Sequence, residues 1–439
     1  MTSHLPVTPV EALDISSRVL RLRMNVACAS AELFGYWRHP RKDAATDFAE
    51  MTPTDIFYWV YKCKNPVLKA EKGEKLSDLL TIDHSIVGLP KGFQKSSLVT
   101  FGAGGDLLQA DGLEQSKDIL FENVADLLFD QSVSYANLES PVTTQPLVKE
   151  VISDKAAPIE CCSREQFDVL TSHKGKRFDV LNTSNNHSFD MGIEGIETSL
   201  QAFSETDILN IGTHKCENEY GRGKILLKDG IKLGFTSDTF GLNGRELPEE
   251  DKYRIHTSKL LSKFVEPDLS LSKQQIDDCK AKGCDFIIAS LHWGFEFEFF
   301  PRKRQIEAAR ALVEYGADAV ICHHPHVIQP VEYYRTQRDP DRVAVIAYSM
   351  GSLTWGYTAP HIVLSLILNM TLAKGEMRGR PTTYIEKSEI TPIFRSAFSW
   401  KGKILTRLEK LAGYLDRPTP NHPREYVEKI DNLAKLVLS

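Results

Sequence analysis

The sequence lacks most of what marks a secreted, membrane or nucleic-acid-binding protein. Its 439 residues hold 8 cysteines and no Cys-x-x-Cys pair, which builds neither a disulfide framework nor a zinc ribbon and suits a reducing cytosol. The longest apolar run, residues 362–370, is far too short to span a bilayer. Arg21 and Arg23 interrupt the only apolar stretch near the N-terminus, so no signal segment is expected. Cations do not dominate: 53 Lys and Arg face 59 Asp and Glu, a net charge of −6, which argues against nucleic acid as a partner. Gly102-Ala103-Gly104-Gly105-Asp106 lacks the dinucleotide spacing, and no Gly-Lys-Ser/Thr follows it. What remains is the composition of an ordinary globular protein, 42% hydrophobic and 26% charged, expected to be cytoplasmic and without a membrane span.

The length exceeds a usual single domain. Residues 1–95 read as a helical N-terminal extension: 10–34 has apolar positions at helical spacing, and Thr52-Pro53-Thr54-Asp55 opens a second helix. From residue 97 strands and helices alternate, giving an α/β domain over 96–395. Strands are expected at 97–101, 133–137, 177–182, 286–291, 318–323, 342–348 and 362–372, with a hairpin turning at Lys228-Asp229-Gly230. Helices are expected at 119–129, 192–203, 271–282 and 301–315, the last with Pro301 in its first position. Residues 396–439 read as a C-terminal helical extension. It carries Lys401, Lys403, Arg407 and Lys410 on a helical pattern, then Arg417-Pro418-Thr419-Pro420 and a final amphipathic helix over 426–438.

The chemistry gathers where strands stop. Residues 318–326 run from an apolar strand into His323-His324-Pro325-His326. Imidazoles at the mouth of a buried strand need a hydrogen bond or a cation. Spaced by two, His324 and His326 would face the same side of an extended segment, and Pro325 biases His324 towards that conformation. Five predicted strands end in ligand-capable residues: Asp106, Glu139, Asn186 with His187, His292, and His324 with His326. The glycines before Asp106 are expected to turn tightly and leave it exposed. Sites in alternating α/β folds assemble beyond the carboxyl ends of strands, so these ends should converge. Together they suit one or two divalent metal ions, with Zn, Mn, Fe, Mg and Ca all compatible.

Asn137-Leu138-Glu139-Ser140-Pro141, the segment from Asn185 to Gly192, His292-Trp293-Gly294, the segment from Gly316 to His326 and Tyr348-Ser349-Met350-Gly351-Ser352-Leu353 resemble the CapA family. That family is named for poly-γ-glutamate capsule synthesis and belongs to the calcineurin-like metallophosphoesterase superfamily. The resemblance covers roughly residues 97–355. It implies a four-layer α/β/β/α sandwich in which Glu139 bridges two metals. Asn186, His292 and His324 would complete one site, and Asp106 with His326 the other. His187 would act as acid/base, oriented by Asp190. One departure stands out: Leu108 occupies the place of a usual histidine ligand, which weakens the Asp106/His326 site and allows a single metal.

The resemblance implies a metal-dependent hydrolase for a peptide or poly-γ-glutamate-like substrate. The same parts would serve a peptide epimerase that removes and returns a Cα proton; a phosphoesterase or a non-catalytic scaffold are further readings. Arg302 and Arg304, near His292, are candidates to grip a substrate carboxylate or phosphate. His323 is expected to be structural, as it stands where the family has glycine. Cys161 and Cys162 read as exposed. His4, His39, His84, His173, His214, His256, His361 and His422 read as surface residues, and 295–300 as aromatic packing under a loop. The sequence fixes no oligomeric state.

Overall fold

Side-chain alternation sorts the apolar residues into three packed interfaces. Along Phe286–His292, Phe286 and Ile288 enter one core while Ile287, Ala289 and Leu291 enter another, the pattern of a strand covered on both faces. The computed structural model describes residues 5–15, 17–147, 152–153, 157–416 and 422–439. Phe286–His292 sits in a six-stranded sheet ordered Val331–Arg335, Val343–Ala347, Ala319–His323, Phe286–His292, Ile231–Thr239, Lys224–Lys228. Its inner four strands are parallel and both edge strands pair antiparallel. The edge hairpin turns at Asp229 and Gly230, both at positive φ, as the sequence leads one to expect.

A second sheet of eight strands runs Lys403–Lys410, Arg380–Trp400, Leu364–Met377, Gln94–Leu107, Val133–Leu138, Val180–Asn182, Leu209–Ile211, with Ser352–Thr354 beside Gln94–Leu107. The sheets meet face to face through Phe101, Tyr135, Phe235, Ile288 and Ile321. Helices Ser270–Ala281 and Lys303–Tyr315 cover the outside of the six-stranded sheet with Ile276, Ile306 and Leu312. Arg164–Thr171 and Gly192–Ser204 cover the eight-stranded sheet with Phe167, Leu170 and Phe203. The layers are therefore α/β/β/α, as the resemblance implies.

The N-terminal region is helical, with Arg18–Phe34 capped by Ser17 and Gly35, and Pro53–Lys64 opened by a Thr52/Asp55 capping box. Among the described residues no helix is long and apolar enough to cross a membrane.

Several expectations need correction. The helical pattern over 396–410 does not form a helix: Arg380–Trp400 and Lys403–Lys410 are antiparallel partners, and the first strand runs straight through residue 396. The cation spacing fits either period, but Ile404, Thr406 and Leu408 alternate, and Leu408 enters the outer core. The tail's helices are Leu411–Tyr414 and Arg424–Leu438, and Arg417-Pro418-Thr419-Pro420 lie outside the described residues. The helix expected over 119–129 is only Ala125–Leu128, and the strand expected from 362 begins at Leu364 after the short helix Pro360–Val363. Pro301 precedes its helix, with Arg302 as N-cap. Cys161 and Cys162 are buried, and so are His173, His214, His256, His361 and His422. Tertiary packing covers these residues in places where local sequence carries no sign of it.

Candidate metal centre

Strand parity aims the site residues inward. Tyr135 faces the inter-sheet core, so Asn137 and Glu139, two and four positions on, point the same way at the end of Val133–Leu138. Phe286 and Ile288 carry His292 with them, and Ala319 and Ile321 carry His323.

Asp106 needs a different device. It does not sit in an exposed turn: Gly102 to Asp106 lies inside Gln94–Leu107, and Asp106 is fully buried. The register with Val133–Leu138 shifts between Ala103 and Asp106, a bulge that reverses parity. Gly105 permits it, since a Cβ there would lie 1.9 Å from the Gly351 carbonyl oxygen. After Ala319–His323 the chain is not extended either. His324 has φ 97° and His326 φ 54°, a left-handed path that overrides the Pro325 bias and costs on the order of 1–3 kcal/mol per residue. The two rings converge nonetheless, with centroids 5.9 Å apart.

These ends bring one donor atom each from Glu139, His292 and His324, and one each from Asp106, Glu139 and His326, within 4.8 Å of one another in each group. His292 Nε2 lies 3.2 Å from Glu139 Oε1 and 2.7 Å from Asn186 Oδ1. His326 Nε2 lies 3.6 Å from Glu139 Oε1, and its Nδ1 3.5 Å from Asp106 Oδ2. All six sequence candidates, Asp106, Glu139, Asn186, His292, His324 and His326, thus reach one place.

Two observations make the cluster fit a cation. Both Glu139 carboxylate oxygens are buried without a hydrogen-bond partner among the described residues, an arrangement that native interiors avoid. Burial first, then the nearby Asp106 and Glu160 carboxylates, push Glu139 well above the usual carboxylate range when no cation is bound. Thr46 Oγ1 donates to the Gly294 carbonyl at 2.6 Å and so accepts from His324 Nε2 at 3.1 Å. That fixes the neutral tautomer and leaves His324 Nδ1 as a bare lone pair, buried and unpartnered. Burial, and then the neighbouring imidazole, hold both His292 and His324 well below the usual histidine value, so both are neutral donors. Burial alone would raise Asp106, but the hydrogen bonds and charges of His323 and His326 outweigh it and hold the carboxyl far below its ordinary value.

His187 stands beside the cluster, next in sequence to Asn186. Its Nδ1 is 2.6 Å from Asp190 Oδ2. Asp190 is buried and otherwise held by the Glu160 backbone N–H at 2.7 Å and by Arg245 Nη1, 2.9 Å from its second oxygen. Nε2 of His187 has no partner among the described residues.

The expected substrate grips are committed elsewhere. Arg302 is buried and pairs with Glu298 at 2.9 and 3.0 Å, in a network with Lys62 and Tyr58. Arg304 donates to the backbone carbonyls of Ser262 and Val265. Conversely, sequence reasoning missed Asn137, which donates to Asp106 Oδ1 at 2.9 Å and reaches His292 Nδ1 at 3.3 Å. It also missed Asn243, which accepts from Asn186, and Phe240, whose ring centroid lies 4.6 Å from that of His324. Only Asn137 left a signal, since it shares the parity of Glu139. His323, expected to be structural, is set between Asp106 at 2.8 Å and the Tyr135 hydroxyl at 3.0 Å.

The family model described as bacterial capsule synthesis protein PGA_cap matches residues 100–357. The chain is 27% identical over 299 residues to the PGA biosynthesis protein CapA of Bacillus subtilis (strain 168), covering 67% of this chain and 72% of that one. Against the capsule biosynthesis protein CapA of Bacillus anthracis it is 26% identical over 275 residues, covering 61% and 62% respectively. The crystal structure of the calcineurin-like phosphoesterase YfkN from Bacillus subtilis aligns at 14% identity with a TM-score of 0.36, over 78% of this chain and 98% of that one.

Proposed function

The chain belongs to the bacterial capsule synthesis protein PGA_cap family, and on that premise we propose that it is a metal-dependent hydrolase for a peptide or poly-γ-glutamate-like substrate. Asp106, Glu139, Asn186, His292, His324 and His326 would hold one or two divalent cations. Bound there, such an ion polarises a substrate carbonyl or phosphoryl oxygen and acidifies water.

The observation that carries the reading is His187 with its open Nε2 at the edge of the unpartnered cluster. Asp190 accepts from the Nδ1–H, which leaves Nε2 as the ring atom free to exchange a proton. From there His187 takes a proton as water attacks the amide carbon, and returns it to the departing nitrogen. Arg245 Nη1, 2.9 Å from the other Asp190 oxygen, holds that carboxylate in place against His187.

Substrate class rests on the relatives, whose names tie them to capsule and PGA biosynthesis. A pocket of about 430 Å³ next to the cluster suits a chain segment: Phe240 and Leu242 form an apolar wall, Arg245 reaches back to Asp190, and Lys259 is ion-paired with Asp47 and Glu50.

The test is incubation of metal-loaded protein with γ-linked glutamate oligomers in deuterium oxide. Shortened chains are the expected product. Intact chains heavier by deuterium at Cα would instead establish epimerisation, and no change in the presence of bound metal would remove both activities.

A further inference from the structure

Leu108 leaves the ligand set one donor short, and Glu296 stands where it can make up the loss. Leu108 is fully buried in the core between the sheets and offers no coordinating atom. Glu296 escaped the strand-end pattern because it follows His292 by four positions, in a loop rather than at the end of a strand. Yet one oxygen of Glu296, one ring nitrogen of His324 and one of His326 all lie within 4.8 Å of one another. The two histidines are buried and Glu296 is half-buried, at the outer side of the cluster. His324 Nδ1 is the buried lone pair without a partner, and such an atom loses its hydration for nothing unless something accepts it.

The outer ligands are steadied from an unexpected quarter. Trp59, in the helix Pro53–Lys64, donates its indole N–H to Glu296 Oε2. Thr46 holds His324 Nε2. An N–H on a carboxylate and a hydroxyl on an imidazole are contacts that fix a ligand's orientation and tautomer. Both come from the N-terminal region, outside the residues matched by the family. Thr46, Trp59, Glu296 and His324 line one small pocket together.

We propose that Glu296, His324 and His326 hold a divalent cation, with Trp59 and Thr46 fixing two of these ligands, so that the N-terminal region completes the centre where Leu108 cannot. One carboxylate with two imidazoles selects a first-row transition ion such as Zn²⁺ over Ca²⁺ or Mg²⁺, which take oxygen donors. The inference rests on the metal-binding part of the reading above and not on its substrate.

The full chain, stripped of metal by chelation, is titrated with Zn²⁺, and bound metal is counted by elemental analysis after gel filtration. Glu296→Gln is expected to bind one equivalent fewer than the natural protein, or to bind it at least about tenfold more weakly, and Trp59→Phe to keep the stoichiometry with affinity lowered about tenfold. Circular dichroism verifies folding; should Glu296→Gln not fold, Glu296→Asp, which withdraws the carboxylate by one methylene, is expected to show the same loss. Unchanged stoichiometry and affinity in a folded Glu296 variant would overturn the proposal. The outcome is independent of turnover. A lost equivalent in a protein that cleaves no peptide leaves this site standing and removes the hydrolase reading. Unchanged metal binding alongside His187-dependent cleavage does the reverse.

Discussion

Asp190 is shared between two opposite partners: one carboxylate oxygen lies 2.6 Å from His187 Nδ1 and the other 2.9 Å from Arg245 Nη1. A carboxylate so held is fixed in place and positions His187 without touching the metal ligands, which makes His187 separable from them by mutation. His187→Ala should retain the metal content of the natural protein while kcat falls by about 10²–10⁴, the range of a lost acid/base group. His292→Ala should lose metal. Elemental analysis beside a cleavage assay decides, and equal metal in both variants would refute the division of roles.

Removing metal should destabilise the protein, because the buried Glu139 oxygens then have no partner. A cation at one hundred times its dissociation constant stabilises by about 2.7 kcal/mol. Chelation should therefore lower Tm in the natural protein and leave His324→Ala almost unmoved, as read by thermal scanning.

Gly105→Ala places a methyl 1.9 Å from the Gly351 carbonyl oxygen. Backbone faces backbone there, so relief requires breaking the bulge that turns Asp106 inward. A loss of about 2–4 kcal/mol in urea unfolding is expected, as for other overpacking in a rigid core, with metal affinity falling alongside. A variant of natural stability would disprove the packing argument.

Arg302→Ala should damage stability and not substrate affinity. Glu298 is buried between Lys62 and Arg302, and breaking a buried charge network costs about 3–5 kcal/mol. Raised KM with unchanged stability would restore Arg302 as a substrate grip.

His214 and His256 meet at 3.0 Å through their Nε2 atoms, both buried. Burial, then Lys224, lowers His214 from 6.5 to about 4, and burial with His214 lowers His256 well below its ordinary value. The unfolded chain therefore binds protons that the folded pair refuses. Stability from this pair is intact above pH 6.5 and declines as pH falls towards 4, by about 3 kcal/mol for His214. His214→Gln should flatten the pH dependence of urea unfolding between pH 7 and 5 by up to one proton; an unaltered slope would count against it.

Much of the centre was legible because ligand-capable residues stand where strands stop and the ends of strands in such folds converge. Asp106, Glu139, His292 and the His324/His326 pair were found at such ends; strand–helix alternation gave the α/β class, and the four layers came from the family resemblance. The route by which Asp106 points inward was not legible: glycine permits both a turn and a bulge, and only the Gly351 carbonyl alongside chooses between them. Arg302 misled because proximity to His292 in sequence says nothing about Glu298 and Lys62, the latter far away in the chain. The strand over 403–410 was hidden since its lysines fit a helical period equally well. Glu296 and Thr46 gave no signal, as neither ends a strand.

Because the metal-directed side chains hang from strands of both sheets, between Asp106 and His326 in the chain, no fragment of the fold can assemble them. Contacts this distant in sequence form late, after loop-closure entropy has been overcome. Cation uptake should then coincide with the closing step of folding, and a stopped-flow signal from a bound metal would serve as a clock for the moment the two sheets meet.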